Sequence, residues 1–263
     1  MCFTGTMTST GDAARGVRAR AREEMRQAIL AAARARLATD GGPGLSLRAV
    51  ARDVGLSSSA VYRYFRSRDE LLTALIIGAY DSLGEAVELA EAAVDQADFP
   101  GRWRAWGHAA RAWAVANPHA WALIFGSPIP GYAAPQDTIP AAARAPMVLV
   151  GLLADAAAVG ALRHQRALPG DGEASVAPLL LVVPPTVGSE AAARGLMAWT
   201  YVLGSISAQL FGHRVNVVAD DRADAFYEIE LDRVAEFAGM LDVPPAAPPA
   251  APPAAPPAAP PSA

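Results

Sequence analysis

The chain has 263 residues, 52% of them hydrophobic and 18% charged, with one cysteine and a formal net charge of −4. That composition supplies a sizeable core for one large domain or a small head on a larger body. A single cysteine, Cys2, excludes an internal disulfide and a zinc cage and suits a reducing cytoplasm.

The opening MCFTGTMTSTGDAARG lacks the apolar stretch of a signal peptide. No uninterrupted apolar run approaches the ~20 residues of a membrane span. Leu179 to Val183 is apolar, but prolines at 178, 184 and 185 close it off. Residues 1–17 are small and polar without periodicity and are expected to be a disordered lead. From Ala19 to Thr39 the pattern turns helical, with Met25, Ile29, Ala33 and Leu37 on one face. Asp40-Gly41-Gly42-Pro43-Gly44 should end that helix. Ser46 is placed to cap a short second helix whose stripe is Leu47, Val50, Ala51 and Val54. Gly55 suits a tight turn, and Ser57 caps a third helix carrying Ala60, Val61 and Phe65 inward. Ser67-Arg68-Asp69-Glu70 reads as a capping box that opens a long fourth helix.

Charge is divided unevenly along the chain. Residues 1–68 carry 12 Arg against 5 acidic residues, a net of +7, and residues 69–263 carry 10 Arg against 21, a net of −11. A basic head on an acidic body is what a protein needs if only its head meets a polyanion. Residues 45–72, LSLRAVARDVGLSSSAVYRYFRSRDELL, give two short helices joined at Gly55-Leu56, a helix-turn-helix. Its second helix presents Ser57, Ser58, Ser59, Tyr62 and Arg63 outward. Small serines let its backbone approach base edges in a major groove ~12 Å wide. Tyrosine hydroxyls, arginines and helix N-termini favour phosphate. A winged helix is disfavoured because a helix follows directly.

This stretch resembles the N-terminal part of the tetracycline-repressor (TetR) family. The likeness rests on a helix, a helix-turn-helix and Tyr62-Arg63-Tyr64-Phe65-Arg66-Ser67-Arg68-Asp69-Glu70-Leu71-Leu72, and covers roughly residues 20–80. Arg68 stands where family members more often have Lys, which keeps the charge. The resemblance implies that Ser46, Tyr62, Tyr64 and Arg68 touch phosphates and that Ser57, Ser58, Ser59 and Arg63 lie nearest the bases. Arg48 is counted with this DNA-facing set. The tyrosines could instead be core aromatics, as Phe65 is expected to be.

Beyond Pro100, helices are expected at about 101–116, 118–125, 138–164, 188–213 and 221–241, separated by proline and glycine clusters. The fold class is therefore all-α, with about nine helices: a helix-turn-helix domain over 18–66, a ligand-binding and dimerisation body over 67–243, and a Pro/Ala tail over 244–263. That tail favours polyproline II at ~3.1 Å per residue and reads as inert or as a ligand for a proline-binding partner. Trp103, Trp106, Trp113, Trp121, Phe125, Met147 and Trp199 are the candidates for lining an effector pocket, although large aromatics equally fill a core. Residues 117–132, NPHAWALIFGSPIPGY, are similar to a C-terminal domain variant of the same family. The resemblance implies that the last two long helices form the dimer interface, with Met197, Leu203, Phe226, Leu231, Val234 and Leu241 on it. His108, His119, His164 and His213 are scattered, and no nucleophile elbow, phosphate loop or metal-ligand spacing is present, so no cofactor, metal or catalysis is expected. The expectation is a cytoplasmic homodimeric repressor that leaves double-stranded operator DNA when a small apolar or aromatic molecule binds. The rivals are an activator, and a helical binding protein or enzyme that retains the head.

Overall fold

The computed structural model describes residues 10–163 and 167–240. Among them every regular element is helical: α1 Thr10–Gly44, α2 Leu47–Asp53, α3 Ser58–Val61, α4 Arg68–Ala92, α5 Phe99–Ala116, α6 Pro118–Phe125, α7 Ile139–Ala158, α8 Gly172–Ser175, α9 Ala177–Leu180, α10 Gly188–Leu210 and α11 Ala223–Ala238. Three short 3₁₀ turns precede α7, α10 and α11. The nine helices expected from sequence are all present. The additions are α8 and α9, single turns inside the proline-interrupted 168–188 stretch.

Two boundaries differ from expectation. First, α1 starts at Thr10, inside the stretch expected to be a disordered lead. Residues 1–9 and the Pro/Ala tail lie outside the described residues. The break expected at the glycines occurs at Gly41, with φ 67° and ψ 175°. Second, α7 ends at Ala158, not near 164. There Gly160 takes φ 69°, its N–H donates to Ala157 O at 3.0 Å, and the Ala161 N–H donates to Ala156 O at 2.8 Å. That paired ending needs a left-handed residue, which glycine supplies without a Cβ clash.

Two apolar cores are built on one long helix. Ile29, Ala33 and Leu37 of α1, Leu47, Val50 and Ala51 of α2, and Val61 and Phe65 pack on Leu71, Leu72 and Leu75 at the start of α4. Phe65 is fully buried, and such a side chain contributes roughly 1.5–3 kcal/mol. Further along α4, Ala79, Leu83 and Val87 join a second core with α5, α7, α10 and α11. The two cores meet at α6 and the segment after it, where Leu123, Ile129 and Tyr132 pack against the head core. The Thr73 and Tyr132 hydroxyls are 2.9 Å apart across this junction.

The segment Gln136–Ala158 has a mean hydropathy of 1.5 and passes for a membrane span by length and composition. Its Arg144 donates to Glu88 at 2.6 Å and to Asp81 at 3.0 Å, both on α4. Leu149, Leu152 and Leu153 on the same helix are buried in the body core. It is a core helix of this fold. That arginine also holds the Glu88 carboxyl below its usual pKa.

Candidate nucleic-acid interface

The helix-turn-helix closes at Gly55. With φ 70° there, the Leu56 N–H reaches Ala51 O at 2.8 Å and the Gly55 N–H reaches Arg52 O at 3.2 Å. Ser57 then caps α3: its Oγ accepts from the Ala60 N–H at 3.2 Å and lies 3.1 Å from Ser59 Oγ. The α-helix proper is one turn, Ser58–Val61, and it continues as a tighter turn in which Tyr64 N–H donates to Val61 O at 2.9 Å. Buried Val61 and Phe65 fix this piece from below. Ser57, Ser58, Ser59, Tyr62 and Arg63 are thereby left uncovered on one side, as the sequence pattern implied. Tyr62 is 45% exposed, whereas Tyr64 is half-buried and packs against the head core.

The head's arginines divide into two sets. Arg48, Arg63 and Arg66 are exposed, and their guanidinium groups have no ion-pair partner among the described residues. Arg22, Arg26, Arg36 and Arg68 brace the scaffold. Arg36 grips Asp53 with bonds of 2.6 and 2.9 Å, tying α1 to the end of α2 and holding that carboxyl below its usual pKa. Arg22 donates to the Arg63 carbonyl at 3.3 Å, and Arg26 lies over the Phe65 ring at 5.3 Å. Arg68, expected on phosphate, donates instead to Leu45 O at 3.1 Å and Gly42 O at 2.7 Å, and sits beside Asp69. It pins the start of α4 to the last turn of α1 and to Leu45 just after it. Ser46 occupies the cap position of α2 without a side-chain cap bond. Ser67 caps α4 through the Glu70 N–H at 3.0 Å, but Glu70 reaches past it to the Arg66 N–H at 2.6 Å, so the reciprocal half of the box is shifted by one residue. The Arg36–Asp53 and Arg22–Arg63 ties have no signal in the sequence, since their partners are far apart along the chain.

In the body the aromatics divide between core and open space. Trp103, Trp106 and Trp121 are fully buried and belong to the core. Their indole N–H groups donate to Leu231 O at 2.9 Å, Ala145 O at 3.1 Å and Ser207 Oγ at 3.0 Å. Trp103 stacks on Trp106 with centroids 5.9 Å apart, and the void beside Trp103 is only 10 Å³. Alanine-rich helices leave space that only large rings fill. Phe125 is wedged between Trp121, at 4.5 Å, and Trp199, at 6.2 Å. Met147 is exposed on α7. Trp113, which donates to Ser82 Oγ, and Trp199 do line open space. The Trp199 cleft, of 260 Å³, is walled by Leu149, Leu153, Leu179, Val183 and Leu196. Of the expected interface residues, Leu231 and Val234 are buried within their own chain, Leu203 and Phe226 are half-buried, Met197 is exposed, and Leu241 lies outside the described residues. Among the described residues no three His, Cys, Asp or Glu gather into a metal-holding group.

A helix-turn-helix head carrying free cationic and hydroxyl groups, joined through one continuous helix to a separate helical body, defines a DNA-binding transcriptional regulator. Residues 29–75 match the model of bacterial regulatory proteins of the tetR family, and residues 103–234 match the tetracyclin repressor-like C-terminal domain. The HTH-type transcriptional regulator Rv1816 of Mycobacterium tuberculosis (strain ATCC 25618 / H37Rv) is 36% identical over 212 residues, covering 75% of this chain and 85% of that protein. Mb1846 of Mycobacterium bovis matches equally. The crystal structure of the regulatory protein SCO4313 superposes with a TM-score of 0.67 at 33% identity, over 82% of this chain and 98% of that one. PfmR of Thermus thermophilus, at 20% identity and a TM-score of 0.51 over 78% of this chain and 97% of that one, shares the fold. The chain belongs to the TetR family of transcriptional regulators.

Proposed function

We propose that this regulator is a homodimeric repressor, held on a palindromic operator by two heads and released when a small apolar effector enters the body. One observation carries the reading. The uncovered side of α3 bears serine hydroxyls, Tyr62 and the unpaired Arg63, and Arg48 and Arg66 of the same head are also exposed and unpaired. Residues 18–66 act as the DNA-binding domain and 67–243 as the effector and dimer body. Ser46, Tyr62 and Tyr64 contact phosphates, Ser57, Ser58, Ser59 and Arg63 lie nearest the bases, and Arg68 acts as a positioning residue. Dimerisation is supported by the apolar side chains that the last two long helices leave bare: Met197 and Tyr201 on α10, and Ile229 and Phe237 on α11.

The almost wholly apolar Trp199 cleft, between α7, α9 and α10, is the better effector site than the buried tryptophan stack. Two heads must stand about one DNA turn apart, ~34 Å, to enter successive major grooves. An effector shifts the balance only by its difference in affinity for the fitting and non-fitting states. The reading is cytoplasmic and carries no catalytic step.

The test is a mobility-shift assay on the DNA flanking the protein's own gene. The double variant Tyr62→Ala, Arg63→Ala should fail to shift it while keeping the helical content of the parent. Unimpaired binding by that variant would remove the assigned DNA face.

A further inference from the structure

We propose that the cleft between α1, α4 and the α5–α6 corner binds a small amphipathic carboxylate, its charged end between Arg34 and His119 and its apolar end against Leu75, Leu123 and Trp113. The cleft encloses 440 Å³, within the range of ~300–1,000 Å³ usual for small-molecule sites. It is distinct from the Trp199 cleft, which offers a ligand almost nothing polar.

Its walls are graded. Leu37, Leu75, Ala79 and Trp113 are buried at depth, and Arg34, Asn117 and His119 are exposed at the mouth. No carboxylate lines it, although residues 69–263 carry 21 acidic residues against 10 Arg. Neither Arg34 nor His119 makes an ion pair or hydrogen bond among the described residues. The corner adds to the bias. Asn117 turns its amide to Trp113 O at 2.9 Å instead of capping α6, which leaves the first N–H groups of that helix open beside the mouth. A buried apolar floor beneath an unpaired cation takes a ligand with one anionic end and a flat or short greasy body. At Gly78 an added Cβ would meet nothing within 4 Å, so the α4 wall is open at that point.

The position matters for regulation, and this consequence rests on the proposed DNA-binding function. Arg34 and Leu37 belong to the head, and Asn117, His119 and Leu123 to the body corner. An occupant therefore holds one against the other and favours whichever head position brings them together. By linkage, operator DNA must then change the ligand's affinity by the same factor.

The experiment is calorimetric titration of the full chain with 2-naphthoate as probe, and with the uncharged 2-naphthalenemethanol beside it. Naphthoate should bind with a Kd of roughly 10–500 μM, and the alcohol at least about tenfold more weakly. Arg34→Ala, a surface change, should weaken naphthoate about tenfold, and His119→Ala less. Gly78→Leu should abolish binding by filling the cleft, with thermal unfolding as the check that it folds. Absence of naphthoate binding up to about 10 mM overturns the proposal. So does equal affinity in Arg34→Ala, or in a folded Gly78→Leu. If Gly78→Leu does not fold, Arg34→Ala alone decides. Operator binding without ligand is measured separately: its survival with no naphthoate bound sinks only the cleft, and its absence sinks only the regulator reading.

Discussion

Removing arginines from the head should change the salt dependence of operator binding in a way that depends on their partners in the free protein. Arg48 and Arg66 are exposed and unpaired, so each can neutralise a phosphate without first breaking a bond. Two per head in a two-headed complex gives about four phosphate contacts, and at ~0.9 counterions each the slope of log K against log salt is about −3.6. Between 50 and 200 mM salt the affinity should then fall by roughly 10². Each single variant, Arg48→Ala or Arg66→Ala, removes two contacts from the dimer and should flatten the slope by about 1.8. Arg36→Ala is the control, because Arg36 is already committed to Asp53 by bonds of 2.6 and 2.9 Å. Fluorescence anisotropy with labelled operator across a series of salt concentrations gives the slopes directly. If Arg66→Ala left the slope unchanged, or Arg36→Ala flattened it as much, the division into free and bracing arginines would be wrong.

Two further outcomes can be checked on the isolated protein. Trp106→Ala should lower unfolding stability by about 3–5 kcal/mol in urea titration, because it empties a buried indole site and removes the hydrogen bond to Ala145 O, while exposed Met147→Ala should stay within about 0.5 kcal/mol. Stability should fall as the pH rises above the ordinary tyrosine pKa of 10.0. Burial raises the pKa of Tyr227, Tyr80 and Tyr201, so the unfolded chain loses those protons first. Tyr227→Phe should make the alkaline fall shallower, and an unchanged pH profile in that variant would contradict its burial.

The head is legible in the sequence because its determinants are local. The stripe Ile29, Ala33, Leu37, the caps at Ser57 and Ser67 and the turn at Gly55 each act within a few residues, and all appear in the structure. What the sequence does not settle depends on partners distant along the chain. Whether Trp103 or Trp106 lines a pocket is decided by Leu231 O and Ala145 O, 128 and 39 residues away. Arg68 looks free in a basic motif, yet its acceptors lie 26 and 23 residues back. Helix ends are hardest to place where a glycine lies within an otherwise apolar run, as at Gly160. Periodicity also says which residues of α11 are apolar but not which neighbour covers them. Leu231 and Val234 accordingly pack inward, with Ile229 and Phe237 outward.

The continuity of α4 has a mechanical consequence. It is one helix of 25 residues, about 37 Å long, whose first turns sit in the head core and whose remainder sits in the body core. Such a rod works as a lever arm. A pivot of about 5° at its far end sweeps the near end through about 3 Å, and two arms diverging in a dimer would double the displacement. Small rearrangements deep among the body helices are thereby amplified at the tips, with no joint between the two cores in which the motion could dissipate.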